Sequence, residues 1–180
     1  MVTKERFAQG MTFQQYLDQM NTNKEKFLET LAATEVTPQE RAVFKDRGDK
    51  LNVLVLTEDW CGDALTNFPV LAKMVEGAPK VEMRVFLRDQ NPDLMDQYLN
   101  RGIFKSIPVF VFFDRDMKEV ARFIERPPKI TEYMEQKQLE LRRQMRAQHG
   151  PEWQRTAATP ARAARAARGE ARAASGPCTR

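Results

Sequence analysis

Residues 57–64 read Thr57-Glu58-Asp59-Trp60-Cys61-Gly62-Asp63-Ala64. This stretch follows a strongly apolar run, residues 51–56, and precedes an amphipathic segment, residues 64–75. The pattern places a cysteine where a buried strand is followed by a helix. The first N–H groups of a helix lack partners and carry partial positive charge, so this position favours the thiolate, which is the nucleophilic form of cysteine.

The charges beside Cys61 act in the opposite direction. Asp59 and Asp63 place two negative groups near the sulfur, and negative neighbours disfavour a further anion. The sequence leaves open which effect prevails. The two aspartates are candidates for proton transfer, for tuning the pKa of the thiol, or for holding a cation. The simpler interpretation makes Asp63 a first-turn helix acid and Asp59 a solvated loop residue.

The elements around this stretch alternate between strands and helices. Residues 12–47 have helical periodicity, and the start of one helix is marked by Thr37-Pro38-Gln39-Glu40, which combines a cap, a first-turn proline and a capping-box acid. Strands are predicted at 51–56, 81–87, 107–113 and 118–124, and further helices at 64–75, 91–99 and 130–147. The order β-α-β-α-β-β-α predicts an α/β sandwich around a mixed sheet.

The charge of the chain is concentrated at its end. Residues 151–180 hold six of the 29 Lys and Arg and two of the 25 Asp and Glu, so residues 1–150 carry no net charge. The body therefore offers no electrostatic case for binding nucleic acid. The Ala- and Arg-rich segment has few bulky apolar residues and is predicted to be a mobile tail. A weak electrostatic arm for nucleic acid is the less favoured interpretation of it.

Cysteine and histidine usage narrows the compartment and the chemistry. Cys61 and Cys178 are too far apart to make a disulfide framework, and the chain has one histidine, so neither a structural disulfide nor a zinc site is expected. The N-terminus lacks the apolar stretch of a secretory signal, and no run is long enough to span a membrane. We therefore expect a cytoplasmic protein without a membrane partner.

Three regions follow from these patterns. Residues 1–49 are a helical extension, residues 50–149 an α/β domain, and residues 150–180 a disordered tail.

The junction position of Cys61, between Trp60 and Gly62, favours an exposed thiol over an inert buried cysteine.

The motif Trp60-Cys61-Gly62-Asp63-Ala64 resembles the Trp-Cys-Gly-Pro-Cys site of thioredoxins. It is most similar to small bacterial thioredoxin-like proteins that carry a Trp-Cys-Gly-Asp variant and lack the resolving cysteine. Pro69 matches the kink proline of the thioredoxin active-site helix, and Ile107-Pro108 matches the loop whose cis-proline faces the cysteine. The resemblance covers roughly residues 50–135 and implies a thioredoxin-like fold.

The resemblance also implies roles for individual residues. Cys61 would be the attacking cysteine, and Trp60 and Gly62 would shape the surface beside it. Pro108 would help to receive an extended substrate, and the backbone of Ile107 would pair with it as an added strand. The expected partners are thiols and disulfides of proteins or peptides.

Two departures from the thioredoxin pattern limit the chemistry. Ala64 stands where the family has its resolving cysteine, and Val55 stands where it has a buried carboxylate.

Three uses of Cys61 remain. It could act as a monothiol nucleophile resolved by glutathione or another small thiol, which would be a co-substrate rather than a cofactor. It could be resolved by Cys178, or the groove could bind peptides without redox chemistry.

Overall fold

Four strands form the mixed sheet at the centre of the computed structural model, which describes residues 1–150. The strands are β1 (Leu51–Thr57), β2 (Val81–Leu87), β3 (Val109–Phe113) and β4 (Glu119–Ile124). Their order across the sheet is β2-β1-β3-β4. β1 is parallel to β2 and antiparallel to β3, and β3 and β4 form an antiparallel pair. The predicted α/β architecture with a mixed sheet is confirmed.

Seven helices accompany the sheet in the described part of the chain. They are α1 (Lys4–Ala8), α2 (Phe13–Gln19), α3 (Lys24–Ala33), α4 (Pro38–Lys45), α5 (Gly62–Val75), α6 (Pro92–Met95) and α7 (Pro128–His149). Residues 1–127 form one compact unit, and α7 belongs to a second one. None of the helices within residues 1–150 is both long enough and apolar enough to cross a membrane.

β1 is buried along its whole length because both faces of the sheet are covered. Leu54 and Leu56 belong to one apolar cluster, whereas Val53 and Val55 belong to another on the opposite face. A strand buried on both sides has no polar face, which explains the continuous apolar run in the sequence. This run was predicted as a fully buried strand, and β1 extends one residue further, to Thr57.

The N-terminal helices pack on α5 through aromatic side chains. The ring of Phe68 in α5 lies 5.4 Å from that of Phe13, 5.5 Å from Tyr16 and 5.7 Å from Phe27, measured between centroids. The Thr37–Glu40 capping box is present, with Pro38 as the first residue of α4. The sequence pattern missed α1, a five-residue helix that Thr3 caps.

Several predicted bounds differ from the structure. α5 begins two residues earlier than expected, at Gly62, and contains Pro69 as predicted. α6 ends at Met95 rather than Leu99, because the chain soon turns back to pair Asn100 with Phe104. Arg101 and Gly102, which make that turn, both have positive φ.

β3 and α7 also differ from their predicted bounds. β3 begins at Val109, since Pro108 has no N–H to donate to a ladder. α7 starts at Pro128 rather than at residue 130, and its apolar side chains Ile130, Met134 and Leu141 are exposed. The predicted tail, with Cys178, lies outside the described residues.

Candidate active site

Cys61 lies at the junction of β1 and α5, where it is the N-cap residue of the helix. Its backbone N–H donates to the carbonyl oxygen of Glu58, 3.2 Å away. The sulfur donates a hydrogen bond to the carbonyl oxygen of Ile107 at 3.3 Å. The structure therefore joins two stretches that are 46 residues apart in the sequence.

The expectation of an exposed thiol is wrong. Cys61 is only 7% exposed and belongs to the apolar cluster that contains Ala64, Ile107 and Val109. The Ile107–Pro108 segment covers the sulfur, and its contact with residue 61 depends on the path of a distant part of the chain. Periodicity around Cys61 carries no information about that contact.

Burial decides the ionisation of Cys61. It raises the pKa of the thiol, and the carboxylate of Asp63 raises it further. The backbone N–H groups of Ala64 and Asp63 and the guanidinium of Arg88 lower the pKa, but they do not outweigh burial. The sequence left open whether the helix start or the nearby negative charges control the thiol. In the structure burial prevails, so Cys61 is protonated at neutral pH in the resting protein.

Trp60 and Gly62 lie on the surface beside the sulfur. Trp60 is 36% exposed, and the guanidinium carbon of Arg88 lies 4.8 Å from the centroid of its ring. Gly62 is exposed, and a methyl group added to its Cα would meet no atom within 4 Å. The start of α5 is thus open to an approaching molecule, although the sulfur itself is covered.

The loop that faces Cys61 contains Ile107 and Pro108, joined by a cis peptide bond. Both residues are buried. The carbonyl oxygen of Pro108 accepts a hydrogen bond from the N–H of Glu125 at 2.7 Å. The residue that follows β4 therefore holds this loop through its backbone.

The two aspartates of the motif have different surroundings. The carboxylate of Asp59 accepts hydrogen bonds from the N–H groups of Asn21 and Thr22, each at 2.9 Å, and so attaches the loop between α2 and α3 to the site. Asp63 lies in the first turn of α5 and pairs with Arg126 at 3.2 Å. Burial raises the pKa of Asp63, and Arg126 lowers it.

No group of three or more metal-ligating side chains is assembled among residues 1–150. Asp59 and Asp63 have separate partners. Asp59 accepts hydrogen bonds from the backbone of the loop after α2, and Asp63 pairs with the side chain of Arg126.

Two charged residues near the sulfur were missed by the sequence analysis. Thr57 pairs with Leu87 in the parallel ladder, so the next residues, Glu58 and Arg88, leave the sheet side by side. The carboxyl ends of parallel strands meet at one edge of a sheet, and this rule could have identified both residues. Their contacts could not be predicted, because charged side chains such as Glu58 are rarely buried.

Tyr16 of α2 is a third residue near the motif that the sequence pattern did not connect with it. It is fully buried, and burial raises the pKa of its phenol. The hydroxyl of Thr57 lowers that pKa, whereas the charges of Asp59, Glu58 and Cys61 raise it. The N-terminal helices therefore form part of the environment of the motif.

Comparison with known proteins agrees with this geometry. A family model described as thioredoxin matches residues 10–143 of the 180-residue chain. The chain belongs to the thioredoxin family. The matched region includes the N-terminal helices α2, α3 and α4. No curated protein matches the chain.

Two solved structures share the fold of this chain at low sequence identity. A protein of unknown function from Pseudomonas aeruginosa superposes with a TM-score of 0.63 and 18% identity, over 83% of this chain and 93% of that one. An HIV epitope scaffold gives a TM-score of 0.61 and 19% identity, over 73% and 81% of the two chains. A thioredoxin from Fasciola hepatica has 26% identity over 52% of this chain and 86% of its own, with a TM-score of 0.36.

The departures from the thioredoxin pattern are both buried in this family member. Ala64 lies beside Cys61 in the core, and Val55 is enclosed within β1. Neither side chain can exchange a thiol or a proton. Within residues 1–150, Cys61 is the one cysteine of the chain.

Proposed function

We propose that the protein carries out monothiol thiol–disulfide exchange through Cys61, with an external small thiol such as glutathione as the resolving partner. The observation that carries this proposal is the position of Cys61 at the start of α5, with its sulfur 3.3 Å from the carbonyl oxygen of Ile107. Membership of the thioredoxin family supports thiol–disulfide chemistry in general. Ala64 restricts that chemistry to one thiol at this position.

The proposed cycle has two balanced exchanges. The Cys61 thiolate attacks one sulfur of a substrate disulfide, forms a mixed disulfide with it and releases the other sulfur as a thiolate that takes up a proton. A second thiolate, from glutathione, then attacks the substrate sulfur of the mixed disulfide. The substrate leaves joined to glutathione, and the thiolate of Cys61 is regenerated. When the bound group is itself glutathione, the product is glutathione disulfide.

The exposed surface around Cys61 supports the approach of a substrate from the side of Trp60. Trp60 and Gly62 are accessible, and the first turn of α5 presents N–H groups that favour a thiolate. Asp63 would tune the ionisation of the thiol, whereas Asp59 would hold the loop after α2 beside the motif. Ile107 and Pro108 would form the wall that an extended substrate contacts.

Turnover of a glutathionylated peptide in the presence of excess glutathione tests the proposal. We expect the wild-type chain to release glutathione disulfide faster than the uncatalysed reaction. Cys178→Ser should retain this rate, and Cys61→Ser should lose it. Equal rates for Cys61→Ser and the wild type would contradict the proposal, and loss of activity in Cys178→Ser alone would assign resolution to the other cysteine.

A second candidate function is peptide binding without redox chemistry. The burial of Cys61 and its raised pKa favour this candidate, because a protonated thiol is a poor nucleophile. A pull-down with Cys61→Ser distinguishes the two functions. A binding module should keep its partners in this variant, whereas an exchange enzyme should lose those that it holds as mixed disulfides.

A further inference from the structure

The guanidinium of Arg88 connects three segments of the candidate site. It lies over the ring of Trp60, and its Nη1 donates to the carbonyl oxygen of Lys105 at 3.1 Å. Its Nε and Nη2 donate to one carboxylate oxygen of Asp89 at 2.9 and 2.8 Å. Arg88 therefore joins the β1–α5 junction, the 3₁₀ turn Arg88–Gln90 and the loop that leads to Ile107.

Glu58 is the buried residue beneath this arrangement. Its side chain is only 6% exposed, and its Oε1 accepts a hydrogen bond from the N–H of Asp89 at 2.8 Å. Its own carbonyl oxygen accepts the N–H of Cys61. Glu58 thus contacts both the turn that carries Arg88 and the residue that carries the sulfur.

The titratable groups around Glu58 and Cys61 come from four places: the loop after β1, the 3₁₀ turn, α2 and, through Asp63, α5. Asp59 belongs to the same loop as Glu58, Arg88 and Asp89 belong to the 3₁₀ turn, and Tyr16 faces both groups from α2. Arg88 lowers the pKa of Cys61, and Asp63 raises it. Burial raises the pKa of Glu58, and the charges of Asp89 and Asp59 raise it further, whereas the hydrogen bond from the N–H of Asp89 and the guanidinium of Arg88 lower it.

We propose that Glu58 is a positioning residue for Cys61: its buried carboxyl group holds the Arg88–Asp89 turn and thereby keeps the guanidinium over Trp60, the neighbour of Cys61. This inference rests on the proposed function of Cys61. It concerns only the ionisation of the sulfur, which can be measured whether or not the protein exchanges thiols. Glu58 acts through the backbone of Asp89, so an uncharged side chain that accepts the same hydrogen bond can replace it.

The test is the rate of iodoacetamide alkylation of Cys61 as a function of pH, in a Cys178→Ser background. The midpoint of each profile reports ionisation, and its plateau reports access to the sulfur. Arg88→Gln should slow the reaction at pH 7 by about three- to tenfold, since it removes a nearby cation, and Arg88→Lys should recover part of this loss. Arg115→Gln, in the turn between β3 and β4, removes the same charge far from the site and should leave the profile unchanged.

Position 58 is tested by two variants that both remove the carboxylate charge. Glu58→Gln keeps an acceptor for the N–H of Asp89, and Glu58→Ala does not. We expect Glu58→Ala to react about threefold more slowly than Glu58→Gln at pH 7. In the Arg88→Gln background this difference should disappear, because there is no guanidinium left to position.

Two results would overturn the inference: equal profiles for Glu58→Ala and Glu58→Gln, or a difference between them that persists in Arg88→Gln. Urea unfolding of each variant identifies any that do not fold. If Glu58→Ala is among those, Glu58→Asn takes its place, because it is also uncharged and its shorter side chain withdraws the acceptor from the N–H of Asp89. A chain that alkylates as expected but does not exchange thiols would contradict the proposed function and still support the role of Glu58.

Discussion

The sulfur of Cys61 donates a hydrogen bond to the carbonyl oxygen of Ile107 and is surrounded by apolar side chains. Of the charges that act on it, Asp63 opposes ionisation and Arg88 favours it. Replacing Asp63 with Asn should therefore move the midpoint of the alkylation profile to lower pH, because a negative neighbour is removed. At pH 7 we expect alkylation about threefold faster than in the Cys178→Ser parent.

The matched control for this residue-scale prediction is Asp116→Asn. Asp116 is an exposed acid in the turn between β3 and β4. Its loss changes the net charge equally without acting on Cys61. An Asp63→Asn profile that stays in place or moves to higher pH would show that Asp63 does not control the ionisation of the thiol.

At the scale of elements, the first turn of α5 is tied to the end of β4 by Asn67. Its Nδ2 donates to the carbonyl oxygen of Asp63 at 2.9 Å and to that of Glu125 at 3.3 Å. Asn67→Asp replaces these donors with a carboxylate that faces two carbonyl oxygens. We expect it to lower the free energy of unfolding by about 2–3 kcal/mol, measured by urea denaturation.

Thr66→Ala provides the comparison on the same helix. Thr66 is exposed, and its hydroxyl reaches only the carbonyl oxygen of Gly62 at 3.4 Å. Its replacement should change the free energy of unfolding by no more than about 0.5 kcal/mol. If both variants unfold at the same urea concentration, Asn67 does not connect the two elements.

At the scale of the whole molecule, α2 and α3 share their core with the sheet domain. The ring of Phe27, 1% exposed, packs against the rings of Phe13, Tyr16 and Phe68. Phe27→Ala should lower the free energy of unfolding by about 3–4 kcal/mol, because it leaves a cavity between α3 and α5. Leu28→Ala, at the next position, where the side chain is 42% exposed, should cost less than about 1 kcal/mol. A small loss for Phe27→Ala would mean that the N-terminal helices fold independently of the sheet.

The fold was predictable where local patterns act alone. The apolar run of β1, the Thr37–Glu40 capping box and Pro69 each determine an element without help from distant residues.

The site was predictable only in part. Cys61 was placed correctly at a helix start, but its burial depends on Ile107, and the roles of Glu58 and Arg88 depend on contacts between β1 and β2. Such contacts between separate segments are not encoded in the periodicity of either one.

The central claim is that Cys61 forms a mixed disulfide that an external thiol resolves. It is tested most directly by intact-mass measurement of the Cys178→Ser chain after incubation with a glutathionylated peptide, before and after addition of glutathione. We predict one covalent adduct on Cys61 that glutathione removes, with release of glutathione disulfide. A chain that stays unmodified, or an adduct that glutathione does not remove, would contradict the claim.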